Sequence, residues 1–180
     1  MDLLDFQGEE MYFDQPVAPD TDLLVQQAAA SYGEDAAEHA LLRAYFLEPE
    51  HLTVLVALYR YFYYRHRYAE SLLVAERAIV LTARRLGIQS DWRRMDAEDL
   101  GRAVLTSMTQ TRFLLLAIKG AGYLCLRLGD AAGALERLEK VAALDTSDRL
   151  GLTELIALAQ GRVTEERVQQ VGGNVRLLRT

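Results

Sequence analysis

Residues 52–78 read LTVLVALYRYFYYRHRYAESLLVAERA, and they decide the fold. Leu55, Leu58, Tyr59 and Phe62 recur at intervals of one, three and four residues, as on one face of a helix. Tyr68 then fills a turn, and Ser71, Ala75 and Ala78 line a returning helix with small side chains that let two helices approach closely. Ala44 lies 34 residues before Ala78, and the segment around it repeats the arrangement: Leu24, Val25 and Ala28, a turn at Tyr32-Gly33, then Ala37, Leu41 and a closing Pro49. A self-similar period of this length marks stacked helix hairpins, each unable to bury its apolar face alone.

A third segment carries Ile118, Ala121, Gly122 and Cys125, a turn at Gly129-Asp130, then Ala134, Leu138 and Val141. It is out of phase, because Val141 stands 63 residues after Ala78, one period plus 29. The insertion is expected to hold the end of the preceding helix at Arg84-Arg85-Leu86, a cap at Gly87, a connector from Ile88 to Met95 around Trp92, and a new helix start at Asp96-Ala97-Glu98-Asp99. With no proline between Asp96 and Gly129, the first helix of the third hairpin is expected to be long. Thr146-Ser147-Asp148 then caps a terminal helix that ends at Gly161.

The expected architecture is therefore all-α. Hairpins cover about 21–49, 51–86 and 97–145, a capping helix covers 147–160, and the helical domain as a whole covers 21–171. Residues 1–20, with Phe6, Tyr12, Phe13, Pro16 and Pro19, are expected to form an extended acidic arm, and residues 172–180 a mobile tail.

Composition agrees with one domain of 180 residues, 51% of them hydrophobic. Its charge is unevenly spread. Residues 1–50 hold twelve Asp and Glu against one Arg, a net of −11, whereas residues 51–180 carry a net of +5. Lys119 and Lys140 are the only lysines, so the basic part is almost all arginine, whose planar fork suits carboxylates and aromatic faces. Mixed charge on solvated helix faces, an acidic partner and the chain's own acidic arm are all compatible with this pattern. The single cysteine, Cys125, forms no internal disulfide and fits a reducing compartment. The first residues lack a basic signal region and no apolar run is long enough to span a bilayer, so the expected location is cytoplasmic, without a membrane partner.

No enzyme constellation stands out. His39, His51 and His66 are scattered, no zinc spacing or phosphate loop occurs, and Cys125 reads as a small buried hydrophobe. No catalytic residue, metal ligand or cofactor is expected. The interleaved aromatics and arginines of residues 59–68 could stack on bases, but the chain is acidic overall and half of those rings should be core, so nucleic acid is not expected.

From Leu24 to Asp145 the chain resembles the tetratricopeptide family, with relaxed matches such as Tyr59 where that family usually has glycine. The resemblance implies that the first helix of each hairpin lines a concave binding face. The implied partner-binding residues are Arg60, Tyr63 and Tyr64, then Lys119, Tyr123, Leu126 and Arg127. They would form a basic, aromatic groove for an acidic helix or tail with apolar anchors, unless the inserted helix or the arm already fills it. The carboxylate clamp of chaperone cofactors is not matched, because Arg60 and Tyr123 stand where it needs asparagine.

A narrower resemblance rests on residues 52–66, LTVLVALYRYFYYRH, with Met11-Tyr12-Phe13-Asp14 before them. This wording is similar to the small tetratricopeptide proteins of bacterial nitrogen fixation, the nitrogenase-associated factor T kind among them. It implies a non-catalytic accessory factor that binds the nitrogenase molybdenum-iron protein or an assembly, inactive or repair state of it. Secretion chaperones of the tetratricopeptide type are the alternative, holding a peptide segment in the groove, and an enzyme is a third. Self-association stays open.

Overall fold

The computed structural model describes residues 16–177, with side chains to Gln169. The proposed arm therefore lies outside the described residues except for its last five, and Pro19 and Asp20 already belong to a helix. Among the described residues the regular structure is entirely helical: α1 (Pro19–Ala30), α2 (Asp35–Leu47), α3 (Leu52–Tyr64), α4 (Tyr68–Arg85), a 3-10 turn (Trp92–Arg94), α5 (Ala97–Thr106), α6 (Met108–Leu128), α7 (Ala131–Leu144) and α8 (Thr153–Leu177). Helices α1–α2, α3–α4 and α6–α7 form antiparallel hairpins, with α3 on α2, α6 on α4 and α8 on α7. The fold is an all-α stack of helix hairpins.

Helix α3 is its centre because its sequence is apolar nearly all round, which is the signature of a helix buried on more than one side. Val54, Leu58, Tyr61 and Phe62 enter a core shared with α1 and α2. Leu52, Leu55, Val56 and Tyr59 enter a larger core that runs through α4, α6, α7 and α8. Tyr45 and Val74 touch both cores, so the first hairpin is joined to the rest through packing. Each large apolar side chain buried there contributes about 1.5–3 kcal/mol. Tyr59, in place of a glycine, is 1% exposed and stacks on Tyr63 at 6.2 Å between ring centres. Its carbonyl accepts the Ser71 hydroxyl at 3.1 Å, which fixes α4 against α3.

The insertion is folded against the stack. Trp92 is buried, with the guanidinium groups of Arg93 and Arg137 lying 4.3 and 4.9 Å from its ring. Arg137 also pairs with Glu76 on α4 at 2.6 Å, and Lys140 donates to the Met95 carbonyl at 3.1 Å. Helix α5 starts with a capping box between Asp96 and Asp99. The expected helix from Asp96 to Gly129 is divided at Ser107, whose extended backbone (φ −160°, ψ 110°) ends α5 and whose hydroxyl accepts from the Gln110 amide to cap α6. Serine competes with helical hydrogen bonding in this way. The remaining α6 is still long, 21 residues, and ends at Gly129 with φ +83°, where glycine avoids the Cβ strain of a left-handed residue.

At the end of the stack the boundary differs from the sequence expectation. Residues 146–152 form turns in which the Asp148 carboxylate accepts from the Leu152 amide at 2.7 Å and the Thr153 hydroxyl at 2.8 Å, so α8 begins six residues later than expected. It then passes through Gly161 and carries residues 172–177, placed in the sequence-expected tail, as helix; residues 178–180 are outside the described residues. One glycine costs a helix about 1 kcal/mol, which the helix formers around Gly161 offset.

Candidate functional interface

Helices α1 and α3 run side by side in the same direction and leave a trough between them. At their starts, the Ala18 amide donates to a carboxylate oxygen of Glu48, just before α3, at 3.1 Å. At their ends, Arg65 donates to the Gly33 carbonyl at 3.0 Å. Arg67 adds two bonds to Glu38 of α2, at 2.8 and 2.7 Å, while its guanidinium lies 4.6 Å from the Phe62 ring. These links hold the first hairpin to the second and set the width of the trough.

The trough has a volume of about 700 Å³ and is lined by two helical strips. Val25, Ala28, Ala29 and Tyr32 contribute from α1 and the turn after it, at the spacing of one helix face. Thr53, Val56, Ala57, Arg60 and Tyr64 do so from α3, with Leu41 and Tyr61 at the floor. Alanines keep the walls low, and the rings of Tyr32 and Tyr64 stand edge to face at one end, 6.4 Å apart. Both are about half exposed. Arg60 is the charged side chain in the lining. Partial burial, followed by the neighbouring Tyr64 and Tyr61, raises the Tyr32 hydroxyl above its ordinary pKa, while Arg60 and Arg65 pull it down.

A second cluster lies where α3, α4 and α6 meet. Tyr63 touches Tyr68 and Tyr123 at 5.9 and 6.2 Å between ring centres. Arg127 lies 4.6 Å over the Tyr68 ring and donates to the Tyr123 hydroxyl at 3.4 Å, and a 2.8 Å hydrogen bond joins His66 Nδ1 to the Tyr68 hydroxyl.

The sequence-derived site residues thus fall into three environments. Arg60 and Tyr64 belong to the trough, whereas Tyr63, Tyr123 and Arg127 belong to the aromatic cluster. Leu126 packs half-buried on the main core. Lys119 is a correction: it is 5% exposed, and its ammonium donates to the Leu150 carbonyl at 2.7 Å inside the protein. It lines no open groove, because α6 turns that residue toward the chain segment preceding α8. The α1 wall was missed from sequence even though its helical spacing was present. Ala28 was assigned to helix contact, and no periodicity reveals that α1 stands away from α3.

Among the described residues, no group of three or more His, Cys, Asp or Glu is placed to hold a metal ion, and no helix is long and apolar enough to cross a membrane. His51 is buried and caps α3, with Nδ1 accepting from the Thr53 amide at 3.3 Å. Cys125 is 2% exposed, and burial pushes its thiol pKa upward, away from the reactive thiolate.

No family model matches the chain, and no solved structure matches it. It is 44% identical, over 156 residues that make up 87% of each chain, to a protein of Azotobacter chroococcum mcd 1 described as an uncharacterized 19.8 kDa protein in the nifW 5′ region. At that identity and coverage, the chain belongs to the family of this 19.8 kDa protein.

Proposed function

We propose that this chain is a cytoplasmic, non-catalytic accessory factor of nitrogen fixation that binds the nitrogenase molybdenum-iron protein or an assembly, inactive or repair state of it. The observation that carries the reading is the α1–α3 trough: a linear apolar surface two to three helical turns long, with Arg60 in its α3 wall. Such a surface suits an amphipathic acidic segment of another protein, recognised by apolar anchors at helical spacing. The nitrogen-fixation context is drawn from the relative in the nifW 5′ region. A tetratricopeptide ancestry for the stack is part of the proposal and is supported by the 34-residue step between Ala44 and Ala78, both buried on the second helices of successive hairpins.

A second reading, a chaperone that holds a peptide of another protein, is favoured by the same apolar lining. Affinity capture of the tagged full chain from nitrogen-fixing cells, followed by mass spectrometry, separates the two. The accessory-factor reading expects molybdenum-iron subunits in folded form. Recovery of an unfolded secreted protein, without those subunits, would replace it with the chaperone reading.

A further inference from the structure

We infer that a second copy of this chain fills the α1–α3 trough. Two chains pair about a two-fold axis, each laying its α1 along the trough of the other and setting Asp22 against the other copy's Arg60. The inference goes beyond the accessory-factor reading and stands without it.

The α1 strip that lines the trough, with Val25, Ala29 and Tyr32, continues one turn earlier to Asp22, which is exposed and whose carboxylate accepts from the Gln26 side chain at 2.7 Å. Helix α1 carries two acids, Asp20 and Asp22, in its first turn and no basic residue in its last. The facing wall carries Arg60 in the later half of α3. Tyr32 meets Tyr64, so residues 32 apart stand level on the two helices, and Arg60 stands level with Ala28. Along the trough, Asp22 and Arg60 are therefore about 9 Å apart at helical rise, with Val25 half way between them. A two-fold axis through that midpoint brings each Asp22 over the other copy's Arg60. Opposite charge fixes the register of such a contact.

Shape agrees with charge. Helix α1 is the first described helix, its edge of Asp22, Gln26 and Ala29 is exposed, and Ala28, Ala29 and Ala57 keep the walls low enough for another helix to come close. Two antiparallel α1 helices, flanked by the two α3 helices, close a four-helix cluster across the axis in which the helix dipoles oppose. An isologous contact uses one patch twice, so the Asp22–Arg60 pair is made twice and the assembly stops at two chains. Faces two to three turns long lie at the low end of specific interface areas, so the dimer is expected to exchange with monomer at micromolar concentration. A partner segment that uses the trough must then bind the monomer, and its apparent affinity falls with the monomer fraction.

Sedimentation equilibrium of the full chain between about 1 and 100 μM tests the pairing over the range expected of so small a contact. Wild type should pass from monomer to dimer. Asp22→Arg and Arg60→Glu should each raise the dissociation constant about tenfold or more, because each sets two like-charge pairs across the axis. The combined variant Asp22→Arg/Arg60→Glu should restore the wild-type dimer. Asp22 is exposed and Arg60 half-buried, so all variants should keep their helix content, which circular dichroism checks. A wild type that stays monomeric would overturn the proposal and leave the trough to a segment of another protein. A dimer that both single variants leave intact, or a helical combined variant that stays monomeric, would overturn it as well.

Discussion

Lys119 on α6 donates a 2.7 Å hydrogen bond to the main-chain carbonyl of Leu150, tying the middle of the stack to the turn before the terminal helix. Its stem is buried in the main core, which makes it a structural residue rather than a partner contact. Lys119→Met is expected to leave that carbonyl short of a donor, at a cost of about 1–3 kcal/mol. For a chain of this size the loss corresponds to a fall in melting temperature of about 2–10 °C. Arg127→Met, exposed on the same helix, should cost distinctly less. Equal thermal unfolding curves for wild type and Lys119→Met would show that the bond contributes nothing.

Gly122 lies on α6 where it packs tightly against α7. A Cβ placed there would stand 3.1 Å from Leu138 Cγ and 3.3 Å from Arg137 Cβ. Gly122→Ala gains about 1 kcal/mol of helix propensity and meets a mild overlap, so its net effect should be small. Gly122→Leu forces the two helices apart and should destabilise by about 1–3 kcal/mol. Chemical denaturation of both variants checks the contrast, and a stable Gly122→Leu protein would mean that α7 yields at little cost.

Cys125 supplies a pH-dependent prediction. Its folded-state thiol pKa is raised, first by desolvation, above the unfolded value of about 9. Between those values the folded chain holds the proton more tightly than the unfolded chain, so this group's contribution to stability is complete below pH 9 and declines as pH rises through the folded pKa. Alkylation at pH 8 should accordingly be slow in the native chain and rapid in denaturant. Fast labelling of native protein would show that α6 opens around Cys125. Cys125→Ala is also expected to retain every binding property of the chain, as the non-catalytic reading requires.

Much of the fold was legible because it rests on local chemistry. The recurrence of Ala44 and Ala78, the turn at Gly129-Asp130 and the cap at Asp96 each follow from helical spacing or backbone demand. The division at Ser107 was not legible, because a serine within a helical pattern can point to solvent or cap a new helix, and the choice depends on how α5 packs. The late start of α8 has the same origin: Asp148, with φ +45°, caps through a turn that competes with helix at Thr146-Ser147-Asp148. Within the candidate interface, Arg60 and Tyr64 could be found from helix register alone. Lys119 was misplaced and the α1 wall missed because register gives the direction of a side chain and not what another segment brings to meet it.

The most direct test of the account is a binding titration of purified molybdenum-iron protein with the full chain and with its Arg60→Glu/Tyr64→Ala variant. Both substituted residues line the trough and sit away from the main core contacts, so helicity should be preserved. Loss of a hot-spot aromatic and reversal of a rim charge together predict a drop in affinity of about tenfold or more. Wild-type binding with that loss in a folded variant is the predicted result; equal binding by both proteins, or no binding by the wild type, would contradict it.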